Sequence, residues 1–104
     1  MHPLSAATLA HRLMDEHGLR TAGWRFQWNH RKSALGICHY RSRTIQLSLP
    51  MVRQHPEEVR ETILHEIAHA LAGHAAAHGP VWKALARRIG AQPIATFKPS
   101  RSSP

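Results

Sequence analysis

The chain has a single cysteine, Cys38, in 104 residues. That excludes an internal disulfide framework and a cysteine-rich metal ribbon, and leaves Cys38 to be read as a small apolar residue on a strand. No run approaches the roughly 18 apolar residues of a membrane span. The opening Met-His-Pro-Leu-Ser has no basic segment followed by an apolar stretch, so no secretory leader is read and a cytoplasmic location is expected, with no membrane partner. Acids are scarce: six Asp and Glu stand against 14 Lys and Arg, giving +8 with the histidines neutral, and none follows Glu66. A basic excess favours polyanionic partners such as DNA. Yet no block of five or six like charges occurs. The candidate nucleic-acid contacts are scattered pairs, Arg31 with Lys32, Arg41 with Arg43, and Arg87 with Arg88, and a merely solvated basic surface would give the same composition.

What is present is enough for one compact domain, expected over residues 1–98 with a flexible basic tail at 99–104. The periodicity predicts a helix over 4–17, with Leu4, Ala7, Leu13, Met14 and His17 near one face and Gly18 as its stop. Residues 24–28 alternate, placing Trp24, Phe26 and Trp28 on the inner side of a half-buried strand. Two more strands are expected over 34–40 and 44–49, joined by the polar link 41–43 as a hairpin that Pro50 closes. Pro56 with Glu57 and Glu58 opens a second helix running to about Ala72, with Gly73 as its cap. A last helix begins near Val81, turns Trp82, Leu85 and Ile89 inward and stops at Gly90. Ile94 and Phe97 are expected to dock the segment beyond it. The fold class is therefore α+β, a small antiparallel or mixed three-stranded sheet packed on a central helix with flanking helices.

That central helix carries His65-Glu66-Ile67-Ala68-His69, an H-E-x-x-H pattern. Positions i and i+4 lie one above the other on a helix, so His65 and His69 can hold one Zn²⁺, and Glu66 on the next spoke can reach a water on that ion. An apolar helix would not carry these three polar groups on one face without a partner for them. Val59, Ile63, Ile67 and Leu71 form the core stripe. Thr62, His65, Glu66, His69 and Gly73 share the other face, which is expected to open away from the core.

A catalytic zinc site needs a third protein ligand and one open position. No acid follows Glu66, which removes a downstream carboxylate. The pattern H-E-x-x-H-x-x-G-x-x-H would need glycine at 72 and histidine at 75, where this chain has Ala72 and Ala75. The candidates are His78, favoured because it precedes Gly79-Pro80 in a loop that can turn back, and His74.

Four stretches together resemble the SprT-like (Spartan-type) zinc metalloprotease domain: Leu35-Gly36-Ile37-Cys38-His39-Tyr40, Ile45-Gln46-Leu47-Ser48, Thr62 to Ala70, and His78-Gly79-Pro80-Val81-Trp82-Lys83. The resemblance implies a zincin-like fold and one zinc ion. It makes the histidine of H-G-x-x-W, here His78, the third ligand. It also implies proteins or peptides as substrates, in some relatives proteins crosslinked to DNA. The reaction expected is peptide hydrolysis with Glu66 as the general base. His74, Tyr40 and Lys83 are candidates for stabilising developing charge, and strand 44–49 for presenting an edge to an extended substrate. Two other readings stand beside this one. The first is a DNA-associated binding module whose zinc is structural or vestigial. The second is a toxin, effector or phage-type hydrolase with one dedicated protein target. Composition separates neither from a general protease.

Overall fold

In a computed structural model, residues 1–93 are described. The expected docking of Ile94 and Phe97 and the tail at 99–104 lie outside them. The elements in chain order are α1 (Pro3–Glu16), β1 (Arg25–Asn29), β2 (Gly36–His39), β3 (Thr44–Ser48), α2 (Leu49–Gln54), α3 (Val59–Ala72) and α4 (Pro80–Ile89). Short 3₁₀ turns at Pro56–Glu58 and His74–Ala76 lead into α3 and out of it. The fold is α+β, with one mixed three-stranded sheet. Among the described residues no helix is long and apolar enough to cross a membrane.

The sheet order is β1-β3-β2, with β1 parallel and β2 antiparallel to β3. The hairpin between β2 and β3 is the expected one, turned through Arg43 in the left-handed region at φ 50°. The position of β3 is not as expected. It is the central strand, hydrogen-bonded on both sides, so it has no edge to offer a substrate. Its near-complete burial explains why: Thr44, Ile45, Leu47 and Ser48 are all buried, as suits a strand between two others. The free edges belong to β1 and β2.

Strand alternation sorts the side chains. Phe26, Ile45 and Cys38 form one row of the helix-covered face, and Trp28, Leu47 and Gly36 the next. The opposite face carries an amide ladder: Gln46 Oε1 accepts from Asn29 Nδ2 at 2.9 Å, and Gln46 Nε2 donates to Gln27 Oε1 at 3.3 Å.

Three local readings change: Leu71, expected in the core stripe of the central helix, is 37% exposed on the last turn of α3, and the other two concern α1 and the hairpin. On α1 the buried stripe is Ala6, Ala10, Leu13 and Met14, while Leu4 is 72% exposed. The 6-10-13-14 spacing makes one helical face and leaves Leu4 off it. The hairpin also does not simply end at Pro50, because α2 begins at Leu49. The Ser48 hydroxyl accepts from Met51 N–H at 3.2 Å and donates to the Arg31 carbonyl at 2.5 Å, capping α2 and tying it to the loop after β1. Pro50 thus sits in the first turn of a helix, where its missing N–H has no cost.

The central helix α3 is buried on more than its apolar stripe. Val59, Ile63, Leu64, Ile67 and Ala68 are buried in the core, and so are Thr62, His65 and Glu66. The polar face expected to open outward is instead covered by β2. The cause is Gly36, whose missing Cβ would lie 2.6 Å from Thr62 Cγ2 and 3.2 Å from Glu66 Cγ. Only a residue without a side chain allows this approach. Gly36→Ala should destabilise the protein by about 1–3 kcal/mol through overpacking. Thr62→Ser, which removes the clashing methyl, should recover part of that loss in the double variant. Denaturant unfolding of the four proteins measures the coupling, and additive losses would show that the contact does not limit the approach.

Candidate metal centre

The i, i+4 spacing on α3 sets His65 and His69 on one face, their ring centroids 4.9 Å apart. The third ring arrives through a tight reversal. Gly73 ends α3 at φ 92°, a 3₁₀ turn comes next, and Ala77 adopts φ 45° and ψ −130°. Glycine favours that backbone region, and a side chain there costs about 1–3 kcal/mol. The reversal delivers His78 just before α4, with its ring centroid 4.5 Å from that of His69 and 5.4 Å from that of His65. One ligating nitrogen from each of His65, His69 and His78 lies within 4.8 Å of the others. Trp82, fully buried on α4, floors the group, with its ring centroid 4.8 Å from both His65 and His78 and 5.3 Å from His69.

The electrostatics follow from burial. Desolvation, reinforced by the neighbouring imidazoles, lowers the His65 and His69 pKa values to about 4. Burial and the Lys83 ammonium lower that of His78. All three rings are therefore neutral near pH 7, the form that ligates a metal. Glu66, 8% exposed beneath Gly36, has its carboxyl pushed up to about 8 by burial.

These residues fit a divalent transition ion. His69 Nε2 and His78 Nε2 are 2.9 Å apart, against about 3.3 Å for two nitrogens on one tetrahedral zinc. The rings need open by only a few tenths of an ångström. Meanwhile His69 Nδ1 is buried with no partner among the described residues, so the contact with His78 is that ring's one hydrogen bond. At most one of the two facing nitrogens carries a proton.

The other expected residues are placed differently. His74 is not in the group; it is exposed in the 3₁₀ turn, with its ring centroid 5.1 Å from that of Tyr40. Tyr40 also lies edge-on to His69 at 6.4 Å. Burial and the charges of Cys38 and Glu66 raise the Tyr40 phenol to about 12, so it stays a donor. Cys38 is half-buried and is also raised to about 12, by burial and by Glu66. Its nearness to Glu66 was not foreseen, although alternation from Gly36 puts Cys38 and Tyr40 on the side facing α3. The basic pairs form no single patch. Arg31 and Lys32 follow the end of β1 that pairs with Ser48, whereas Arg41 and Arg43 precede Thr44, at the other end of a five-residue strand about 13 Å long. Arg87 and Arg88 end α4. A second cluster, His55 with Glu57 and Glu58, lies in the turn leading into α3, where acids complement the helix dipole.

The sequence matches the SprT-like family over residues 6–102. The chain belongs to the SprT-like family. Its domain is metalloprotease-like, and the histidine group is a candidate metal-binding site within it. No curated protein and no solved structure matches the chain.

The raised Glu66 carboxyl has a thermodynamic signature. Its folded pKa lies above the unfolded value of 4.5, so the metal-free protein loses stability as pH rises from 4.5 to about 8. His65 and His69 act in the opposite sense, and their contribution is lost as pH falls from 6.5 through about 4. In metal-free protein, Glu66→Gln should therefore match the parent near pH 5 and exceed it in Tm at pH 8. The gap should grow by up to about 1.4 kcal/mol per pH unit. Calorimetry across that range would refute the buried-carboxyl account if the two curves stay parallel.

Proposed function

We propose that this SprT-like chain is a zinc-dependent endopeptidase with a zincin-like centre. The observation that carries the reading is the convergence of three neutral imidazoles beside one buried carboxyl. His65, His69 and His78 would hold the ion. When bound, Zn²⁺ supplies acidification of a water and polarisation of the scissile carbonyl.

The remaining work falls to the chain's own groups. Glu66 takes a proton from the attacking water onto a carboxylate oxygen and passes it to the leaving amine nitrogen. Burial displaces that carboxyl toward neutrality in the metal-free chain, and a cation held by the three histidines would draw it back toward the ionised form that a base needs. Tyr40 is our assignment for the donor to the developing oxyanion. Its protonated phenol stands beside His69 and within the field of Glu66, whereas His74 lies on the opposite flank of Tyr40 and Lys83 beside His78. The free edge of β2, rather than β3, is where an extended substrate would add as a strand, because β2 lies directly over Glu66.

The rival reading, a binding module with a closed structural site, calls for a fourth ligand. The other histidine of that loop, His74, faces Tyr40 and lies outside the group.

Purified protein should carry about one zinc per chain and cleave casein in a chelator-sensitive way. Glu66→Gln should keep the zinc and lose about 10²–10⁴-fold in turnover. Retained turnover would remove the general-base role. In a separate measurement, His78→Ala should lower zinc content by elemental analysis, and unchanged stoichiometry would displace His78 from the ligand set.

A further inference from the structure

Beside the histidine group lies an open cavity of about 900 Å³ lined by Cys38, His39, Tyr40, Arg41, Ser42 and His74. Tyr40 is the shared wall, in ring contact with His69 on one side and His74 on the other. A side chain seated in the cavity would lie one ring away from the histidine group.

Its chemistry is one-sided. No acid occurs between His17 and Pro56 or after Glu66, and Glu66 itself is buried and does not line the cavity. The two arginines of the turn differ. Arg43 folds back, its Nη1 donating to the Ala22 carbonyl at 3.0 Å. Arg41 is exposed and has no hydrogen-bond or ion-pair partner among the described residues. His39 is occupied by Gln46 Oε1 at 3.1 Å. The cavity thus offers a planar guanidinium, an imidazole and a hydroxyl to a ligand, with no carboxylate to compete. A guanidinium fork matches a carboxylate in shape and charge.

The geometry points to a pocket for an acidic side chain, Asp or Glu, close to the scissile bond of a peptide substrate; this rests on the peptidase reading above. A peptide carboxylate is favoured over a nucleic-acid backbone because tracking a polyanion takes a run of cations. The remaining basic pairs lie at the far end of β3 and at the end of α4.

The test uses the zinc-loaded full-length Glu66→Gln protein and fluorescein-labelled octapeptides that are identical except for Glu, Gln or Lys at the central positions. Anisotropy should show the Glu peptide binding roughly tenfold more tightly than the Gln peptide, as expected for a charge-assisted pair. That preference should be weaker at high salt. Arg41→Ala should bring the ratio close to one, and Arg41→Glu should invert it toward the Lys peptide. Arg41 lies on an exposed turn, so thermal melts of both variants should overlay the parent and exclude misfolding as the cause. Equal binding of the three peptides, or a Glu preference that survives Arg41→Ala, would overturn the pocket. So would an oligo-dT that displaces the Glu peptide and binds more tightly through Arg41, which would assign the cavity to phosphate. Casein cleavage by the unsubstituted protein reports separately on the parent reading. Cleavage without peptide selectivity rejects the pocket alone, and selectivity without cleavage rejects the peptidase alone.

Discussion

Desolvation of four ionisable groups on and beside one helix is the constraint on which the rest depends. Glu66 and His65 are withdrawn from water by β2 on one side and the Trp82 indole on the other, with His69 and His78 closing the group. One physical cause acts with opposite sign on two residue types. It raises a carboxyl and lowers imidazoles, leaving every member neutral or easily neutralised near pH 7. A small domain tolerates this because the same helix also anchors the core, with Val59, Ile63 and Ile67 fully buried. The arrangement opposes stability without an ion and rewards binding one, since the ligands need shed few protons.

Much of this was legible in the residues, and the legible parts share a cause. Helical spacing alone sets His65 over His69, and strand alternation alone turns Phe26 and Trp28 inward. Local chemistry of that kind is readable without tertiary knowledge. The errors arose where packing partners decide. Strand order is not encoded in periodicity, so β3 was read as an edge when it is the centre. The outward-opening polar face came from α3 considered alone; the near approach of Gly36 reverses it, and an isolated glycine in a strand pattern was the available signal. Pro50 reads equally as a hairpin stop and as a first-turn residue, so the pattern alone does not separate α2 from a turn, and the Ser48 cap decides it.

The approach of His78 was the least readable from periodicity. Eight residues separate it from His69, and they fold back through Gly73 and Ala77, two residues of positive φ. Nothing in Ala75-Ala76-Ala77 advertises a reversal. Gly79-Pro80 just after His78 is the local signal that the loop can turn back, and the resemblance through His78-Gly79-Pro80-Val81-Trp82-Lys83 points the same way. The strain carried by Ala77 is consistent with a turn held from its downstream side, by the His78 ring against His69 and by the start of α4.

The indole beneath the three imidazoles also makes the centre visible from outside. Trp24 and Trp28 lie on or beside β1, have their ring contacts with Tyr40 and Phe26 rather than with the three histidines, and would supply the less perturbed part of the emission. Trp82 would not, because it touches all three candidate ligands at once. A quenching ion such as Co²⁺ or Cu²⁺ seated there would dim a third of the chain's tryptophans. Occupancy could then be followed in real time on the unlabelled protein.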